Sequence, residues 1–148
     1  MERSLVLVKP DGVQRGLIGE VITRLENRGL RLVAAKFQWV SLELAKKHYA
    51  VHEEKPFFDG LIAFITSSPV MAMVWTGPDA ITAIRQTMGK TRGTEADPGT
   101  IRSDYAIQNQ KNLTHASDSV ENAEAEIALW FKPEELVEWK RCTEDWSF

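Results

Sequence analysis

The apolar residues of this chain change their spacing repeatedly along its length. Short β-branched runs give way to helical spacing and back again, which restricts the fold to layered α/β arrangements. Ser4 to Val8 is the first such run and predicts a strand, broken by Lys9-Pro10-Asp11-Gly12. From Val13 to Arg28, Leu17, Ile18, Val21, Ile22 and Leu25 share one helical face, and Gly29 stands where a helix C-terminal glycine belongs. Leu30 to Val40 predicts a second strand. Ser41 is placed to cap a short helix holding Leu44, His48 and Tyr49, and Pro56-Phe57-Phe58 opens another that ends near Ser67. Pro69 to Trp75 predicts a third strand, and Pro78 opens a helix with Ile81, Ile84 and Met88 on one side, closed by Gly89. Residues 90–110 show no clear period, and a loop this long in a compact domain is often functional. A short strand around Asn112 to His115 follows, then a helix to about Phe131 with a capping-box contact expected between Asp118 and Glu121. Pro133 is suited to start a last helix.

This order fits a ferredoxin-like βαββαβ core: a four-stranded antiparallel sheet with helices on one face and a helical insertion between strands 2 and 3. The 148 residues form one domain, 1–148, without repeats or linkers. Formal net charge is −3, which argues against a dedicated nucleic-acid binder, although a local basic pocket needs only a few side chains. One cysteine, Cys142, precludes an intrachain disulfide and points to a reducing compartment; with only three histidines, a zinc site is not expected. No run is long enough to span a membrane and the N-terminal apolar run is too short for a signal peptide, so a cytoplasmic location is the default expectation.

The segment richest in chemistry is Asn112-Leu113-Thr114-His115-Ala116-Ser117-Asp118-Ser119, which sets a histidine between a short strand and a capped helix. Glu126 on that helix is a candidate to orient the imidazole, since a carboxylate on one ring nitrogen leaves the other free as a nucleophile. On local pattern alone, a structural histidine at a helix start is the commoner explanation. Lys9, at the end of the first strand, can point into a crevice and neutralise phosphate, or can simply be solvated before a turn. Arg85, Thr91 and Arg102 would complement nucleotide phosphates if they converged, yet each alone is more often a surface residue. Gly89-Lys90-Thr91 imitates the tail of a phosphate-binding P-loop, but Ile84 stands where that motif requires glycine.

Taken together, these segments resemble the nucleoside diphosphate kinase family. The likeness rests on Lys9 to Leu17, His48-Tyr49 with Pro56-Phe57-Phe58, Pro98-Gly99-Thr100-Ile101-Arg102, Asn112 to Ser119, and Glu126 to Leu136. It implies that His115 is phosphorylated by a nucleoside triphosphate and passes the group to a diphosphate, and that Ser117 and Glu126 position it, with Lys9 also at the reacting centre. It further implies a nucleotide site of Lys9, Tyr49, Phe57, Leu61, Arg85, Thr91, Arg102 and Asn112, with Phe57 stacked on the base. Magnesium would arrive on the nucleotide phosphates, with no protein metal site. The partners implied are ribo- and deoxyribonucleoside di- and triphosphates and further copies of the chain in a hexamer or tetramer; neither nucleic acid nor membrane is expected. Ala116, Ser103 and Gln110 stand where glycine is frequent, which raises the question of backbone strain at those positions.

Overall fold

Leu5, Val6, Leu7 and Val8 are all fully buried, because the strand that carries them, β1 (Glu2–Val8), lies inside the sheet and is covered on both faces. The computed structural model describes residues 1–148. The remaining strands are β2 (Arg31–Gln38), β3 (Val70–Gly77) and β4 (Thr114–Ala116). They form one sheet in the order β2-β3-β1-β4, with every pairing antiparallel. Leu5 lies opposite Val74, and Leu7 opposite His115. The helices are α1 (Pro10–Gln14), α2 (Ile18–Asn27), α3 (Leu42–His48), α4 (Phe58–Ile65), α5 (Ala80–Met88), α6 (Ile101–Tyr105) and α7 (Val120–Trp130). None is long and apolar enough to cross a membrane.

The ferredoxin-like core is present, and its helical layer is doubled. Val6, Val8, Met73 and Trp75 point to α2 and α5, packing on Val21, Leu25, Ile84 and Met88. Leu5, Leu7, Ala72 and Val74 point the other way, onto Ala45, Ile62 and Ile65 of the insertion and Ile127 and Trp130 of α7. The expectation of helices on one face therefore holds for α2 and α5, while the insertion and α7 cover the opposite face. The physical cause is legible in β1, where consecutive apolar residues must be buried on both sides of the pleat.

Local differences from the sequence reading also have causes. The helix expected over 13–28 is two helices, parted at Gly16, whose φ of 71° breaks the spiral. Ser119, rather than Asp118, caps α7 by accepting from Asn122 N; Asp118 instead accepts from the Asn122 side chain, so the box with Glu121 does not form. The expected last helix is a single 3₁₀ turn, Pro133–Glu135, in which the Glu135 carboxylate accepts from Lys132 N. β4 starts at Thr114 because Leu113, at φ 75°, has left the extended region. Ala116, Ser103 and Gln110 are free of positive φ: among non-glycine residues only Asp79 and Leu113 have it. Their departure from glycine therefore carries no backbone strain.

Candidate active site

β4 carries His115 at the edge of the sheet, where it faces a cavity of about 1020 Å³ formed by the insertion, α7 and the 90–112 segment. That segment, expected to be a loop, contains α6 and a 3₁₀ turn at Gly93–Glu95. Glu126 projects from the second turn of α7. Its Oε2 lies 2.9 Å from His115 Nε2, and its Oε1 accepts the Ser117 hydroxyl at 2.5 Å. Ser117 is itself fixed, since its oxygen accepts from Leu5 N on β1 at 3.1 Å. Burial works against charge on Glu126, but the hydrogen bonds from His115 and Ser117 and the attraction of His115 outweigh it, holding the carboxyl below its ordinary range. An ionised carboxylate only accepts, so Nε2 carries the ring proton and the lone pair of neutral His115 sits on Nδ1.

The cationic wall is built from three separate elements. Lys9, buried at the end of β1, donates to the Gln110 carbonyl at 2.8 Å and to Asn112 Oδ1 at 2.5 Å. Burial pushes its ammonium down to about 8; attraction to Asp11 offsets part of this, and repulsion from Arg102 adds to it. Arg102, from α6, donates to the carbonyls of Asn112, Gly89 and Thr114. Burial brings its guanidinium down to about 10, helped by Arg85 and opposed by Asp11, so it stays cationic at neutral pH. Three of its five N–H groups are used on those carbonyls, which leaves two for a ligand. Arg85, on α5, is exposed and makes one long bond, 3.4 Å, to the Ala116 carbonyl. Asn112 joins the loop to this wall by donating to the Thr91 carbonyl at 2.8 Å.

The mouth is aromatic and apolar. Phe57, 52% exposed, and Leu61 lie at the start of α4, and Tyr49 follows α3. Burial raises the Tyr49 hydroxyl to about 12, with the Glu126 charge acting in the same direction, so it remains a neutral donor. Every residue proposed from the sequence, except Ser117, lines this one cavity, and Ser117 stands behind Glu126.

The sequence reading gave His48 and Trp130 no role in the site, yet both belong here. The Trp130 indole donates to His48 Nδ1 at 3.1 Å, and the His48 ring stands perpendicular to that of His115 with centroids 4.8 Å apart. The available signal was the four-residue spacing of Glu126 and Trp130, which sets both on one face of α7. His48, His115 and Glu126 place possible metal ligand atoms within 4.8 Å of one another. However, His48 Nδ1 and both Glu126 oxygens are already engaged. Besides Glu126, the lining carboxylate is Asp118. A cation carried in on phosphate oxygens suits this donor set better than one held by protein ligands alone.

A ferredoxin-like α/β sheet that presents an oriented histidine to a cationic, aromatic-lipped cavity is the framework of a nucleotide phosphotransferase. A sequence profile of the nucleoside diphosphate kinase family matches residues 2–136. A nucleoside diphosphate kinase of Symbiobacterium thermophilum is 61% identical over the whole chain and 98% of its own length. Among solved structures, a nucleoside diphosphate kinase family protein from Babesia bovis, 48% identical, superposes with a TM-score of 0.97 over all of both chains. A Halobacterium salinarum nucleoside diphosphate kinase in complex with CDP, 55% identical, gives 0.96 over 99% of this chain and 98% of its own. The chain belongs to the nucleoside diphosphate kinase family: it is an enzyme that transfers a phosphoryl group from nucleoside triphosphates to nucleoside diphosphates.

Proposed function

We propose that the phosphoryl group travels on His115 Nδ1, in two half-reactions that share one site. The observation that carries this reading is the Glu126–His115 contact, which leaves Nδ1 as the free lone pair in the cationic cavity. Nδ1 attacks the γ-phosphorus in line, the bond to the bridging oxygen breaks, and the nucleoside diphosphate departs with that electron pair. The phosphorylated ring keeps its Nε2 proton and becomes cationic, and the adjacent Glu126 carboxylate offsets that charge. A β-phosphate oxygen of the second diphosphate then attacks the same phosphorus and restores neutral His115.

Phosphoryl transfer has a loose transition state, so the protein's task is to position groups and stabilise charge. Lys9, Arg85 and Arg102 supply that charge, with Thr91 and Asn112 completing the phosphate and sugar contacts. Magnesium on the nucleotide phosphates would supply further neutralisation. Phe57 stacks on the base, with Leu61 and Tyr49 beside it. Stacking tolerates any base, so nucleotides of every base are substrates, and both ribo- and deoxyribonucleotides belong to this reading. A homo-oligomer, hexamer or tetramer, and a cytoplasmic location belong to the same reading. Support for assembly comes from Phe37 and Trp39, 56% and 64% exposed around the end of β2. Light scattering on purified protein tests it.

The mechanism is tested by incubating the protein with magnesium and γ-labelled ATP, removing nucleotide, and adding GDP. Acid-labile label that chases into GTP and is absent from His115→Ala is the expected result. Folded, ATP-binding protein that takes up no label would overturn the mechanism and favour a non-catalytic nucleotide-binding module.

A further inference from the structure

His48 is half-buried, makes a defined hydrogen bond, and touches the reactive ring, yet the mechanism above gives it no task. Its Nδ1 meets the Trp130 indole N–H at 3.1 Å. An indole nitrogen only donates, so Nδ1 must be the acceptor and the His48 proton must sit on Nε2. The Trp130 ring is perpendicular to that of His48, with centroids 5.4 Å apart, and is itself 97% buried (3% exposed) in the α7 face of the core. The chain of contacts thus runs from the packed core, through Trp130 and His48, to His115, whose ring stands perpendicular to His48 at 4.8 Å between centroids.

We propose that Trp130 and His48 are positioning residues for His115: the indole N–H fixes the His48 ring in one tautomer and orientation, and that ring holds the His115 imidazole on Glu126 with Nδ1 facing the nucleotide. This rests on His115 as the group that takes the phosphoryl. Glu126 alone grips the imidazole at one atom, about which the ring can swing; a perpendicular ring against it removes that freedom. A His48 side chain free to protonate would also set a second cation beside the phosphohistidine and draw Glu126 away from it. Burial and the neighbouring His115 push the His48 imidazole down to about 3, against the opposing pull of Glu126, so it stays a neutral wall.

The test joins a spectroscopic arm to a kinetic one. In ¹⁵N-histidine-labelled protein, His48 of the wild type shows an unprotonated Nδ1 and a protonated Nε2; in Trp130→Phe, which keeps a ring but loses the donor, the two tautomers mix. Single-turnover phosphorylation by ATP slows roughly tenfold in Trp130→Phe, with ATP affinity changed by less than about twofold, as expected for misorientation of the attacking atom. If Trp130→Phe does not fold, His48→Gln, which keeps an acceptor for the indole, is set against His48→Leu, which does not; glutamine should retain more of the rate. A His48 protonated on Nδ1 in the wild type, a wild-type rate in Trp130→Phe, or equal rates in the two His48 variants each overturns the proposal. Absence of label at His115 in the wild type would instead overturn the underlying mechanism, and the ¹⁵N arm would still decide whether Trp130 sets the His48 tautomer.

Discussion

Glu126 divides its carboxylate between His115 and the serine two residues beyond it, with one oxygen 2.9 Å from His115 Nε2 and the other 2.5 Å from Ser117 Oγ. Because Ser117 is bonded in turn to Leu5 N, the imidazole is referred to the backbone of β1 through two side chains. Replacing Glu126 with glutamine keeps the shape but lets the site donate where it should accept. The expected outcome is a fall in the single-turnover phosphorylation rate of roughly 10²-fold or more, since a wrong tautomer places the proton on the attacking nitrogen. ATP binding, measured by calorimetry, should change little.

The same carboxylate makes stability depend on acid. Its folded pKa lies below the ordinary 4.5, so the folded state binds fewer protons than the unfolded one as pH falls. Its stabilising contribution is therefore complete above about 4.5 and is lost as pH drops through the folded value. Urea unfolding of wild type and Glu126→Gln at pH 7 and pH 3.5 should show the wild type losing more stability than the variant.

Lys9 acts in the opposite pH range. Its folded pKa is about 8 against an ordinary 10.5, so between these values the unfolded chain holds a proton that the folded chain does not. Stability should then rise with pH across that window, and Lys9→Met should lack the rise. Near pH 7 the variant is expected to be about as stable as the wild type, or more so, because a desolvated charge has been removed. Its phosphorylation rate should collapse, and paired denaturation and labelling measurements separate the two effects.

Phe57→Ala removes the stacking surface at the mouth and leaves His115 untouched. Stacking contributes about 1–2 kcal/mol, so KM should rise on the order of 5- to 30-fold with kcat largely kept. Steady-state assays with ATP, GTP and dTTP as donors check this; a rise confined to one base would contradict sequence-blind stacking.

Gly93 is needed for contact rather than for φ. A Cβ there would lie 2.0 Å from the Ala106 carbonyl oxygen and 2.6 Å from that of Arg102, so the 90–95 turn could no longer seat on α6. Gly93→Ala should cost about 1–3 kcal/mol in denaturant titration, the range for forced overpacking. It should also raise KM, because the displaced helix carries Arg102 away from the phosphates.

Much of this was legible in the chain itself. The strand at 4–8 and its abrupt break, and Ser41 as a cap, arise from local chemistry, and the structure keeps them; the histidine expected between a short strand and a capped helix lies inside that strand, with the capped helix following it. Convergence of Lys9, Arg85 and Arg102 was not readable locally, because it depends on β1, α5 and α6 meeting at one cavity; only the family resemblance supplied it. The second helical layer was hidden for a related reason: a continuous apolar run shows that a strand is buried, but not what covers it. His48 escaped notice because its role depends on Trp130, 82 residues away, and no periodicity joins the two.

Two hydrophobic layers meet at β1, and β4, only three residues long, is paired to no other strand. His115 therefore sits on an edge strand anchored to the strand the two layers share. Its backbone is tied to the sheet through β1 alone, so its hydrogen exchange should report the opening of that single edge pairing. Loosening of β1 would reach His115 directly, since Leu7 lies opposite it in the sheet.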